Sequence, residues 1–425
     1  MNERRAMRLG YLRRHAAPLA TVGAVSVVGI LASTLFQALT GRGLGPAAFG
    51  LLAAFLSIVN IAAIGASALQ NSVAVATART LSGAPDATAA PRRWDGAMVE
   101  GVALGGGGAL VVAALAGPLS GRLGTSVMAV LLAAATVLPS FLFSVAQGRL
   151  QGAGRATAVA GWSTGSQVLR LVLAGVALLA GLGAVSILVA VLLAIGAAAL
   201  AASVQADRAG LRTSTSAFTR NSVVLIGLTL AFAWLTNIDV MLVRTGAPEH
   251  PAGMFAAAAV LAKLILIVPT TLSLYLLPRF VNRREDHGAM RFGVNVVLLT
   301  VLGTGLLGAG ALAVLGGFVI RLFFGSGYAD AVGLLPALAL AYVPWALSQG
   351  LLIRLTASRS RRALVVLLAA SVAQWVLARQ VLPDLRAMTL VIGVLGAIVA
   401  GVFYLLHHFS RAQSPAAPTA PESVA

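Results

Sequence analysis

Stretches such as "VAVLLAIGAAALAASV" constrain this chain more than anything else in it: they are apolar on every side, and they recur from one end to the other. About 18 or more such residues cross a hydrocarbon core of roughly 30 Å at about 1.5 Å rise per residue, and a buried helix of a soluble domain seldom needs that length. A transmembrane barrel would instead alternate apolar and polar residues over short strands. Helices satisfy their own backbone hydrogen bonds in lipid, so the runs read as membrane-spanning helices. The composition agrees, with 59% hydrophobic and only 10% charged residues. Twelve candidate spans begin near Pro18, Phe49, Ala97, Thr125, Ala156, Ala184, Asn221, Gly253, Phe292, Ala329, Ala363 and Ala387, the eleventh being the shortest. The longest polar connection runs from Arg79 to Asp95, so no soluble domain is inserted. The basic N-terminus followed by an apolar run could be a cleavable leader, but the run continues for about twenty residues, beyond the roughly 7–15 of a typical leader core. It is assigned as the first span.

The basic residues orient these spans. With a cytoplasmic N-terminus, 22 arginines fall in inside segments and 6 in outside ones, Arg42, Arg122, Arg244, Arg321, Arg379 and Arg386; Arg170 and Lys263, the chain's one lysine, lie within spans. Positive residues accumulate on the cytoplasmic side, so this bias supports a plasma-membrane, multi-pass topology with both termini inside. The net charge of +18 is therefore an orientation signal. A nucleic-acid partner is not expected, because no polar module gathers basic residues with interleaved aromatics. Cytoplasmic arginines also favour anionic headgroups, making membrane lipids expected partners.

Enzymatic motifs are missing, and the chain reads as a non-enzyme. There are 0 cysteines, which excludes thiol catalysis and thiolate metal sites, and the 5 histidines are scattered at span ends without metal-ligand spacing. Lys263 is followed by leucine inside a span, so it is no Walker lysine, and the run Gly105 to Gly108 suits close helix packing. No cofactor or metal is expected. Asp330, Asp384 and Glu249 stand isolated in short connections.

Repetition is more informative. "GRGLGPAAFGLLAA" after the first span and "VRTGAPEHPAGMFAAAA" after the seventh each place an arginine before a Gly/Pro turn, an aromatic and an alanine run. "GRLQGAGRA" and "IRLTASRSRRA" form a looser pair, and Arg42 to Arg149 spans 107 residues where Arg244 to Arg354 spans 110. Two halves of six spans and like orientation would give this register, a known transporter layout. The expected fold is thus an all-α integral membrane protein: two six-helix bundles, residues 1–210 and 211–410, related by a parallel repeat around a central cavity. Residues 411–425 are expected to be a disordered cytoplasmic tail.

"GRGLGPAAFG" resembles the turn after the first helix of the polysaccharide and oligosaccharide flippases of the multidrug/oligosaccharidyl-lipid/polysaccharide exporter superfamily. "QGRLQGAGR" is similar to their Gly-x-Leu-Gln-Gly cytoplasmic turn. "NIDVMLVRTGAPEHPAGMFAAA" and "LIVPTTLSLYLLPRF" look like their seventh and eighth helices, and "FFGSGYADAVGLLPALA" like the approach to the tenth. The resemblance implies alternating access that carries a lipid-linked glycan from the inner to the outer leaflet. It leaves open a coupling cation and polysaccharide-assembly proteins as partners. Aromatics are sparse for the family, and twelve spans rather than fourteen argue against its peptidoglycan-precursor branch. A cation-coupled small-molecule exporter and a non-transporting scaffold for polysaccharide assembly are the alternative readings.

Three ionisable residues fall inside spans, each costing about 2.5–3.5 kcal/mol at a helix centre, so each is expected to face protein or water. Arg170 follows Ser163, Ser166 and Gln167 on one polar stripe. Ser26, Ser33 and Gln37 make a stripe on the first span, and Ser57, Asn60, Ser67 and Asn71 one on the second. A cationic, hydrogen-bonding cavity for a diphosphate and sugar hydroxyls would use Arg170, Lys263, Arg42, Gln167, Asn60 and Gln37. Asp239 is either a coupling carboxylate or the structural partner of Lys263, and Arg42 is either an interface anchor or a pyrophosphate contact.

Overall fold

The computed structural model describes residues 2–82, 95–211, 220–267, 287–357 and 360–409. The tail 411–425 lies outside the described residues, as does most of the eighth-span motif that follows Ile267. Helix α1 (Asn2–Leu81) is broken at Gly45, whose φ of 72° and ψ of 172° are not helical. Its apolar stretch Thr21–Leu81 holds 61 residues. Drawn straight this would reach about 90 Å, three bilayer cores, so the break is a necessity. Gln37 and Asn60 line the same cavity from either side of the break, so α1 folds back as two antiparallel arms.

The chain continues with α2 (Gly96–Ala114), α3 (Ala116–Leu123), α4 (Val127–Ala135), α5 (Val137–Gly152), α6 (Ala156–Leu179) and α7 (Ala184–Arg208). Prolines set two of these boundaries. Pro118 and Pro139 have no N–H for the carbonyl four residues back, and α2 and α4 end at those carbonyls, Ala114 and Ala135. The second half comprises α8 (Arg220–Gly246), α9 (Glu249–Ala262) with a 3-10 turn at Lys263–Leu266, α10 (His287–Phe323), α11 (Ala331–Ala357), α12 (Arg361–Val381) and α13 (Leu385–Phe409). Among the described residues 11 helices are long and apolar enough to cross a membrane, the first of them holding both arms of α1. The all-α membrane fold and about twelve crossings expected from the sequence are present.

Apolar packing divides along the chain, with exchange at the boundary. One large cluster joins α8 to α13 but takes in Phe49 and Ala53 of α1's second arm. A second joins α1's second arm to α2, α3, α4, α5 and α7 and takes in Ile238 and Met241 of α8. Within the first half, α5 packs so tightly on that arm that a Cβ at Gly148 or Gly152 would meet backbone carbonyl oxygen at 2.6 or 2.4 Å. Small residues here take over the role that hydrophobic burial plays in water, because lipid gives no such drive between helices.

Candidate functional site

Among the described residues, side-chain hydrogen bonds between the two bundles gather at the Gly45 end. Arg42 donates from Nη2 to the carbonyls of Arg321 and Leu322, at 3.0 and 2.5 Å, where α10 ends. Arg244 in turn donates to the carbonyl of Leu123, at 3.3 Å, where α3 ends, and to that of Ala47 at 3.4 Å. Glu249 holds its guanidinium at 2.8 Å. A helix C-terminus carries partial negative charge and unpaired carbonyls, so each arginine is matched to its position. Tyr328 donates to the carbonyl of Gly41 at 2.8 Å, and burial raises its phenol pKa, keeping it a donor. Phe49, Phe324 and Tyr328 pack ring against ring beneath. Gly253 lies against Pro46 so closely that a Cβ would stand 2.0 Å from its carbonyl oxygen.

Below this seal lies a cavity of about 410 Å³ with two unlike walls. Ser26, Ser33 and Gln37 of α1 and Ser163 and Gln167 of α6 make one wall, and the other side is apolar, from Val260 and Leu264 to Phe323 and Phe324. The stripes read from the sequence on the first and fifth spans thus converge on one surface. A smaller cavity of about 190 Å³ shares Gln37 and Val260 and adds Ser57, Asn60, Asn237 and Lys263. Gln37 links the two, and its Oε1 is buried with no hydrogen-bond partner among the described residues.

The structure distributes the predicted site residues unevenly. Gln37, Asn60, Gln167 and Lys263 line these cavities. Arg170 stands one side chain behind the wall, donating to Ser33 Oγ at 3.1 Å, with its guanidinium 4.3 Å over the Phe36 ring. Arg42 lines neither cavity, its head being spent on the end of α10. Ser67 turns back on its own helix, donating to the Ile64 carbonyl. Lys263 Nζ donates to Asp239 Oδ1 at 2.8 Å, and the Tyr342 hydroxyl donates to the other carboxylate oxygen. Asp239 is fully buried, whereas the lysine side chain is 19% exposed, on the cavity side.

Sequence reasoning missed Asn237, Tyr342 and Arg149. Asn237 sits two residues before Asp239, where helical spacing alone gives no common face. Tyr342 is brought in from α11 by packing. Arg149 was read as a loop arginine, yet it is 1% exposed and ion-paired to Asp95, the N-cap of α2, and to Asp207 at 3.3 Å on α7. It ties three helices together at the end opposite Gly45.

No protein-family model and no curated protein matches the sequence. Solved structures do match in fold. An inward-facing conformation of a multidrug resistance MATE family transporter of the MOP superfamily is similar, with TM-score 0.70, 16% identity, and 91% of this chain and 94% of that one covered. An outward-facing conformation of a transporter so described gives TM-score 0.61 at 16% identity, covering 92% and 95%. The lipid II flippase MurJ in an inward closed conformation gives 0.64 at 13% identity, covering 93% and 88%. The fold is that of these transporters, over nearly the full length of each chain.

Proposed function

We propose that the protein is a transporter that flips a lipid-linked oligosaccharide or polysaccharide precursor from the inner to the outer leaflet by alternating access. The observation that carries this reading is the interbundle cavity, polar on its α1/α6 wall and apolar on its α9/α10 wall, beneath a sealed Gly45 end. Hydroxyls and amides suit a glycan, Lys263 of the adjoining smaller cavity and Arg170 behind the polar wall suit a phosphate, and the apolar wall suits the first part of a lipid chain that otherwise stays in the bilayer. On the topology expected from the arginine bias, the Gly45 end is the outer one, so the sealed end of the cavity faces outward. The higher TM-score with the inward-facing neighbour than with the outward-facing one fits that state.

Leaflet accessibility of a fluorescent undecaprenyl-diphosphate glycan in proteoliposomes tests the proposal. Protein-dependent movement of the label between leaflets is expected, and no movement of any lipid-linked glycan tried would sink it. One observation favours a second reading, a cation-coupled small-molecule exporter: Asp239 is a fully buried carboxylate that could exchange Lys263 for a proton or metal cation. Dye efflux driven by a proton or sodium gradient, with no glycan movement, would establish that reading instead.

A further inference from the structure

Away from the central cavity, a groove of about 740 Å³ opens on the outer surface of the first bundle, between α6 and α7 at the Arg149 end. Its rim carries Arg155 and Arg208, both exposed. Its floor descends past Gln205 and Trp162 to Val204, Ala201, Leu200 and Ala197. From Arg208 to Ala197 the helical rise is about 16 Å, close to the depth of one leaflet of a roughly 30 Å hydrocarbon core. Leu200 is 68% exposed on the bundle's outer face, so the groove opens where lipid lies.

The electrostatics are one-sided. No carboxylate lines the groove, and neither rim arginine makes an ion pair among the described residues. The adjacent Asp207 is committed to Arg149. Trp162 donates its indole N–H to Gln205 Oε1 at 2.6 Å, which fixes the ring at the junction of polar rim and apolar floor. Tryptophan is at home at that depth in a bilayer. Small residues at Ala197 and Ala201 leave room for a chain alongside α7.

We propose that this groove is a binding site for an anionic glycerophospholipid of the bilayer, its phosphate between Arg155 and Arg208 and one acyl chain along Ala201 and Ala197. The site is separate from the transport pathway and does not depend on what is transported. On the expected topology it faces the cytoplasmic leaflet, where anionic lipids draw basic residues. A lipid held there pins the start of α6 to the end of α7.

Native mass spectrometry of the full chain in detergent, titrated with dioleoyl phosphatidylglycerol or phosphatidylcholine, tests the site. The wild type is expected to prefer phosphatidylglycerol by roughly tenfold or more, from two basic residues near the headgroup. Arg155→Ala with Arg208→Ala should remove that preference. Arg361→Ala with Arg362→Ala, at the exposed start of α12, should leave it unchanged. Should the first double variant fail to fold, Ala201→Trp fills the groove floor with the arginines in place, and it too should lose bound phosphatidylglycerol. Equal affinity for both lipids, or a preference that survives in the groove variants, overturns the proposal. So does displacement of phosphatidylglycerol by millimolar inorganic phosphate, which would mark a site for the free anion.

Discussion

Arg42 and Arg244 make reciprocal contacts: each lies at the end of the first crossing of its own bundle, just before the turn, and each donates to carbonyls at the end of the third crossing of the other. Arg42 reaches the end of α10, and Arg244 the end of α3. The exchange is what a parallel repeat about an axis normal to the membrane would generate, and it converts the sequence likeness of the two turns into a shared mechanical role. Both clamps close the same end of the cavity, so both must release before that end can open.

Weakening the clamps should therefore shift the molecule toward the opposite state. A hydrogen bond involving a charged group contributes about 1.5–3 kcal/mol. Arg42→Ala should raise the fraction open at the Gly45 end by about ten- to hundredfold, since about 1.4 kcal/mol is tenfold in an equilibrium. Tyr328→Phe, losing one neutral hydrogen bond to Gly41, should do less. Maleimide labelling of Ser33→Cys from the outside reads this, because the chain has no native cysteine. Unchanged labelling in Arg42→Ala would show that the clamp does not hold the gate.

The Lys263–Asp239 pair makes a different prediction, because its members sit on α9's terminal turn and α8, inside the second bundle. Removing one partner leaves the other charge uncompensated away from bulk water. Breaking a buried pair costs about 3–5 kcal/mol, and Lys263, partly exposed to the cavity, should fall at the low end. Asp239→Asn and Lys263→Ala should each lower the thermal midpoint in detergent, and the double change should recover most of the loss. If both single variants were as stable as the wild type, the pair would have no structural role and Asp239 would be free to serve coupling.

The topology inferred from the arginines is open to the same chemistry. Cysteines at Thr213 and His287 should be labelled from the cytoplasm alone, and one at His250, exposed in the first turn of α9, from outside alone. Labelling of positions 250 and 287 from the same side would overturn the orientation.

Much of this arrangement was legible in the residues. Lipid forces backbone groups to pair locally, so apolar length gives helices directly, and Gly45 with Pro46 marks the reversal of α1. The stripe Ser26, Ser33 and Gln37 pointed to the cavity because helical spacing sets which side chains share a face. What the sequence did not disclose depends on contacts between distant segments. Arg149 was indistinguishable from a solvated loop arginine until Asp95 and Asp207 were brought to it. Tyr342 drew no attention as one aromatic of an apolar helix, and Arg42 was read as an interface anchor or a pyrophosphate contact because the α10 carbonyls it meets lie 279 and 280 residues away.

Arg170 provides the sharpest test of the cavity itself. It lies within α6, its Nε buried without a hydrogen-bond partner among the described residues, and it has no ion pair there. Such a charge is costly in a membrane, and cation–π contact with Phe36 offsets about 0.5–2 kcal/mol of that cost. Among the described residues its hydrogen bond to a neighbouring side chain goes to Ser33, which lines the cavity, so the guanidinium can reach an anion by displacing one side chain. Arg170→Ala should abolish glycan movement while leaving the thermal midpoint within a few degrees of the wild type, because no counter-charge is stranded. Arg170→Lys should restore part of the transport, keeping the charge but losing the flat stack on Phe36. Ser33→Ala, which frees the guanidinium without removing it, should keep transport. A well-folded Arg170→Ala protein that moves glycan at the wild-type rate would remove Arg170 from the pathway and leave it a packing residue between α6 and α1.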